Sequence, residues 1–237
     1  HRASVIYNPY FTTTLKLIHG TAFRVPNVDE ANYEEEDYWK KNDDIKKEEI
    51  STTELILEQR LSKHLMSSIS GYMYTMNDMI DTVYDSADDL YFYDNISKIT
   101  AHGVEMGIDA RLDQSTHFYA NYSYQEATDA DAETRLTNSP ANLVKCGIAV
   151  PLVQHIVAAG DVRYESERKT VYGTRTDAYI LTNLKLSTKT IRDHVKLSFM
   201  VRNVFDVAYD NPGGFEHLQD CIRQDGRNYI FKVHLYY

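Results

Sequence analysis

Hydrophobic and polar residues alternate with a period of two along most of this chain. In the clearest run, residues 102–112, Val104, Met106, Ile108, Ala110 and Leu112 take the even positions, while Glu105, Asp109 and Arg111 share the odd ones with Gly103 and Gly107. Successive side chains of an extended chain point to opposite faces, so such a run predicts a strand with one apolar and one polar face. The pattern recurs at residues 2–7, 11–22, 51–61, 65–80, 117–125, 144–150, 156–165, 177–187, 193–205 and 227–237, which makes about eleven strands. The last of these, RNYIFKVHLYY, sets Tyr229, Phe231, Val233, Leu235 and Tyr237 against Asn228, Lys232, His234 and Tyr236, with Ile230 a misfit. A free edge this apolar invites aggregation in water, whereas in a bilayer its large side chains meet acyl chains and barrel closure removes the edge. Taken alone, the stretch suits an amphipathic strand of a soluble sandwich equally well.

The segments between strands carry the second signal. Short connections, at residues 8–9, 62–64, 113–115, 151–155 and 188–192, alternate with long polar ones at 23–49, 81–97, 128–140, 166–175 and 206–226. Every short one falls on the side where the last strand ends. Outer-membrane barrels sort their connections in this way, with tight periplasmic turns and long extracellular loops, and a soluble meander has no reason to. Strands of about ten residues also match what a tilted strand needs to cross the hydrocarbon. Because a Lys or Arg at the bilayer midplane costs about 2–4 kcal/mol, Glu105, Asp109, Arg111, Asp161 and Arg163 are expected to face the lumen. A wide lumen can hydrate such charges or set them against an internal plug.

Composition narrows this picture without changing it. A net charge of −10 and the absence of a basic stripe argue against a nucleic-acid partner. No run of eighteen apolar residues exists, so no transmembrane helix is expected, and the negative mean hydropathy is what alternating barrel strands produce. The 19 Tyr and 8 Phe suit a membrane interface. Cys146 and Cys221 form neither a disulfide framework nor a zinc site and are not expected to pair. The chain starts at His1 without a signal peptide, as a mature protein or an internal fragment would. No catalytic constellation is present, so the chain is expected not to be an enzyme and to need no cofactor or bound metal.

Several stretches together resemble the TonB-dependent outer-membrane receptors. They are residues 15–26 (LKLIHGTAFRVP) followed by 49–55 (EISTTEL), then GVE at 103–105, YANYSY at 119–124, NSP at 138–140, RNVFD at 202–206 with Tyr209 and Pro212, and QDGR at 224–227 before the aromatic terminal strand. Each motif is weak, but their order and spacing extend the resemblance over nearly the whole chain. It implies an all-β fold: an antiparallel transmembrane β-barrel, with residues 1–237 forming the C-terminal half of a 22-stranded barrel and the plug domain absent. The function implied is uptake of a metal complex, an iron–siderophore or cobalamin, across the outer membrane of a Gram-negative bacterium. The implied partners are outer-membrane lipid, the missing plug and N-terminal strands, the TonB complex acting through that plug, and the metal chelate.

In that family the ligand sits among extracellular loops and plug apices. The matching loops here carry Arg24, Tyr33, Tyr38, Trp39, Tyr91, Phe92, Tyr93 and His217, whose rings and guanidinium could stack on and pair with a catecholate or hydroxamate siderophore. The alternative places Tyr91 and Tyr93 in the interfacial belt and makes Arg24 a structural pair. Haem is the less favoured cargo, since residues 24–50 hold neither the His nor the NPNL box that haem receptors pair with FR-x-P. The acidic clusters at 34–37, 85–89 and 129–133 could hold calcium, although solvated loop charge explains them more simply. Two other functions fit the alternation: a soluble Tyr-rich β-sandwich binding module, and a passive porin-type barrel that leaves AFR-x-P and QDGR unexplained.

Overall fold

The computed structural model describes residues 1–112, 116–130, 132–191, 194–214 and 217–236, with the main chain alone at Ser97. The expected turn at 113–115, Asp131 and Tyr237 lie outside the described residues. The strands are β1 (Arg2–Tyr10), β2 (Thr13–Arg24), β3 (Glu48–Ser62), β4 (Leu65–Asp85), β5 (Leu90–Arg111), β6 (His117–Asp129), β7 (Thr134–Arg135), β8 (Asn142–Val153), β9 (Ile156–Glu165), β10 (Tyr179–Thr188), β11 (Val195–Arg202), β12 (Asp210–Pro212), β13 (Cys221–Arg223) and β14 (Asn228–Leu235). One five-residue helix, α1 (Val28–Asn32), lies between β2 and β3.

Each main strand pairs antiparallel with the next in the order β1-β2-β3-β4-β5-β6-β8-β9-β10-β11-β14, with β7 a short addition to β6 and β12-β13 a separate ribbon. Directly opposed residues in such a ladder share a face. Leu57, Ile69, Met106, Tyr122, Val144, Tyr164 and Ile180 oppose one another across β3 to β10, and Phe199 opposes Phe231 on the same face. The other face carries Glu58, Glu105, Asp109, Lys145, Asp161 and Arg163. No second layer covers the apolar face among the described residues, and Phe231 and Leu235 stay 65% and 61% exposed. Of the buried strand residues, Ser70, Ile99, Ala101, Ala127, Glu165, Tyr179 and Ser198 belong to the polar face, which is therefore the more crowded one.

The strands depart from the sequence expectation mainly at their ends. β1 continues through Asn8-Pro9 to Tyr10 with a register shift, and a proline is tolerated at such a ladder irregularity. More important, residues 81–97 are no loop: β4 and β5 are 21 and 22 residues long and stay paired out to Asp85 and Leu90. A ribbon wetted on both faces has no apolar period to reveal it. β3 leaves the ladder beyond Asn77 and β6 beyond Ile99, so rungs Ile80–Asn95 to Asp85–Leu90 project about 20 Å past the sheet.

Candidate functional site

The projecting ribbon is built at a double irregularity. The pairing slips once on each strand between Met76 and Ile80, Asp78 takes φ +56°, and the Ile80 N–H is left without a ladder partner. Glu48 supplies one: its Oε1 accepts from Ile80 N at 3.0 Å while its Oε2 accepts from Arg24 Nε at 2.5 Å. Arg24 Nη1 also donates to both Glu30 oxygens, at 2.8 and 3.0 Å. Glu30 closes the capping box of α1, accepting from Asn27 N at 2.8 Å while Asn27 Oδ1 accepts from Glu30 N. Burial alone would raise the Glu30 pKa, but the hydrogen bonds from Arg24 and Asn27 outweigh it and hold the carboxylate below its ordinary 4.5. Arg24 is thus occupied by two carboxylates.

Beyond α1, residues 38–46 lie along the outer edge of β5 and take the place that β6 vacates. Tyr91 N donates to Tyr38 O, Lys40 N donates to Tyr91 O, and Trp39 bridges Tyr91 in parallel. Asn42 Nδ2 donates to Tyr93 O at 2.9 Å, and Asn95 both accepts from Lys46 N and donates to Lys46 O. At the tip, Lys40 Nζ lies 2.5 Å from Asp85 and 2.6 Å from Asp88, above the Phe92 ring. Lys40 holds the Asp85 carboxyl below its ordinary range, and the two carboxylates hold the ammonium above its own.

This docking gathers the loop aromatics. Trp39 is the hub: its ring centroid lies 5.4 Å from Tyr33 in an edge-on contact, 5.7 Å from Tyr91 and 5.1 Å from Tyr93, and Tyr84 adds a further ring 5.1 Å from Tyr91. Tyr33, Tyr84 and Tyr91 remain partly open to solvent. The Tyr33 hydroxyl donates to Glu35 at 2.9 Å, which makes it hold its proton more tightly than an ordinary phenol. The result is a platform of π-faces with the Glu35 and Asp89 carboxylates accepting from the Tyr33 and Tyr84 hydroxyls at its rim, while Lys40 lies over Phe92 on the opposite face of the ribbon; the platform suits a flat conjugated ligand with hydrogen-bonding edges.

Of the residues named from sequence, Tyr33, Trp39, Tyr91 and Tyr93 share this platform, Tyr38 contributes main chain beside it and Arg24 braces its base. His217 is elsewhere: its carbonyl accepts from the Tyr172 hydroxyl at 3.2 Å, joining residues 203–227 to 166–178. Sequence reasoning missed Tyr84 and Lys40. The available signal was a Tyr before and after the Asp-rich turn at 85–89, which is how a hairpin presents cross-strand aromatics. It also missed Arg168, which ties three loops together through Asn138 at 3.1 Å, Asn211 at 2.6 Å and the Asp210 carbonyl, with Glu165 at 3.1 Å. Among the described residues no three His, Cys, Asp or Glu side chains converge as metal ligands. Cys146, on the apolar face of β8, and Cys221 are free thiols.

A family profile described as TonB dependent receptor-like, beta-barrel matches residues 1–204. A ferric-pyoverdine BN7/BN8 receptor of Pseudomonas putida is 30% identical over 119 residues, 48% of this chain and 15% of that protein. Among solved structures, the ferric-catecholate import receptor Fiu of Escherichia coli K12 superposes with TM-score 0.75 at 16% identity, over 98% of this chain and 34% of its own. The siderophore receptor PiuA of Acinetobacter baumannii gives TM-score 0.77 at 14% identity, over 98% and 35%. The chain therefore spans about a third of the solved structures it matches.

Proposed function

Because the chain belongs to the TonB-dependent receptor family, we propose that it forms the C-terminal half of the barrel of an outer-membrane receptor that imports an iron–siderophore complex, energised through TonB. In this reading the apolar face meets lipid, and the polar face, with Glu105, Asp109, Arg111, Asp161 and Arg163, lines the lumen around a plug carried by the rest of the receptor. The long connections are extracellular, and the Trp39 platform receives the chelate. Tyr229, Phe231, Val233 and Leu235 form the lipid-facing side of the closing strand.

The observation that carries this reading is a sheet with no second layer over its apolar face among the described residues, where Leu55, Met106, Ile148, Ile180, Phe199, Phe231 and Leu235 stay exposed, an arrangement suited to acyl chains. The ferric-pyoverdine receptor among its relatives supports a siderophore as cargo. Members of this family are transport receptors of Gram-negative outer membranes, and the proposed role is accordingly non-enzymatic. The test is uptake of radiolabelled ferric pyoverdine by iron-starved cells lacking the full-length gene. Uptake should be lost and restored by the intact gene, and unimpaired uptake in the deletion strain, across a panel of ferric siderophores, would refute the proposal.

A further inference from the structure

On the polar face of β10, β11 and β14 the register puts one cation on each successive rung. Arg202 opposes Asn228 nearest the loops; next Lys185 opposes Met200, which opposes Ile230; next Lys232 opposes Ser198; and Lys196 opposes His234 nearest the short turns. These three strands contain no Asp or Glu. Among the described residues none of the four cations has an ion-pair partner, whereas Lys16, Arg111 and Arg163 on the same face are paired with Glu58, Asp109 and Glu165. A run of positive charge without an ion-pair partner among the described residues, in a chain of net charge −10, is a local departure from the whole.

Rungs of one face are two residues, roughly 7 Å, apart. That is inside the roughly 8 Å over which physiological salt screens a charge, so the field of each cation overlaps the next. A wall lined by one sign of charge concentrates the opposite sign and lets it pass from site to site. We propose that Arg202, Lys185, Lys232 and Lys196 form an electropositive track down the inner wall, which passes an anionic metal chelate from the loop end towards the turn end. The proposal deepens the importer reading and rests on the polar face being the lumen. The competing occupant is an acidic surface of a docked plug. The even spacing, one charge per rung over the full height of β11, favours a mobile anion over a fixed partner.

The test uses the full-length receptor in outer membranes, with Cys146→Ser and Cys221→Ser, and a reporter thiol at Ser187→Cys, which shares a rung with Lys232. Rates of modification by an anionic sulfonate thiosulfonate and a cationic trimethylammonium thiosulfonate are compared with those of a free thiol. The normalised anion-to-cation ratio should be raised about tenfold, and should fall several-fold in Lys185→Gln and Lys232→Gln variants that retain native gel mobility. A ratio equal to that of the free thiol, or one unmoved by these variants, overturns the track. Protection from both reagents and from a neutral maleimide means that a docked domain covers the rung, and overturns the track while leaving the importer reading intact. Labelling by a lipid-permeant reagent alone puts this face in the membrane and sinks both.

Discussion

A Cβ placed on Gly226 would stand 2.6 Å from Asp206 Oδ1, the atom that accepts from Arg227 N at 2.7 Å. The two motifs RNVFD and QDGR, read in the sequence only as a resemblance, are thus the two halves of one contact. Asn203 and Asp206 both take positive φ, at +48° and +54°, and the Asn203 side chain closes the turn onto Val207 in both directions at 2.8 Å. Gly226→Ala must displace Asp206, at a cost of about 1–3 kcal/mol. The purified full-length receptor should then lose its folded gel mobility at a lower temperature, and the double variant with Asp206→Ala should cost less than the sum of the singles. In the platform, Trp39→Ala removes three ring contacts, each worth about 0.5–1.5 kcal/mol beyond area. On the proposed reading, in which this platform receives a ferric siderophore, the loss of these contacts and of the Trp39 face should weaken equilibrium binding of the imported chelate roughly tenfold or more, with Tyr38→Ala, whose ring is not in the cluster, changing it little.

The ribbon of β4 and β5 and the segment 38–46 docked on it act as one element, and Lys40 fixes the tip. The pKa of Asp85 is lowered from its ordinary 3.8, so its contribution is present above that value and is lost as pH falls through the folded one. The pKa of Lys40 is raised from 10.5, so its contribution is present below that value and is lost as pH rises through the folded one. Docking should hold between those limits and loosen below about pH 4. The hydrogen-exchange protection factors of the Tyr91 and Lys40 main-chain amides, taken relative to the intrinsic rate at each pH, should fall there, and Lys40→Met should give the same low protection at neutral pH; identical protection in the variant would remove Lys40 from this role. The sequence could not show the element. Its strands lack a dry face, its register depends on Glu48 reaching Ile80 N from another strand, and its edge is covered by a segment some fifty residues upstream, as in the pairing of Lys46 with Asn95.

For the whole molecule more was legible: strand order and the division of faces could be read, because a period of two over ten residues fixes a face without knowledge of the neighbours, whereas the connections at 8–9 and 81–97 proved to be largely strand. Met106 and Glu105 were assigned to opposite sides from alternation alone, and the register agrees rung by rung. The mixed cases are those where a neighbour decides, such as Ile230, an apolar residue on the polar face, opposite Met200. This division allows a paired test within β5 and β6. Met106→Lys puts an ammonium on the apolar face at mid-strand and should cost about 2–4 kcal/mol if that face meets lipid at the bilayer midplane. Ser123→Lys places the same group on the polar face, directly opposite Glu105, where a hydrated lumen and a facing carboxylate should keep the change within about 0.5 kcal/mol. Reversible denaturation in detergent or lipid should therefore separate the two variants by most of the midplane cost. Equal, small effects at both positions would mean that water reaches both faces, which a membrane-embedded wall does not allow.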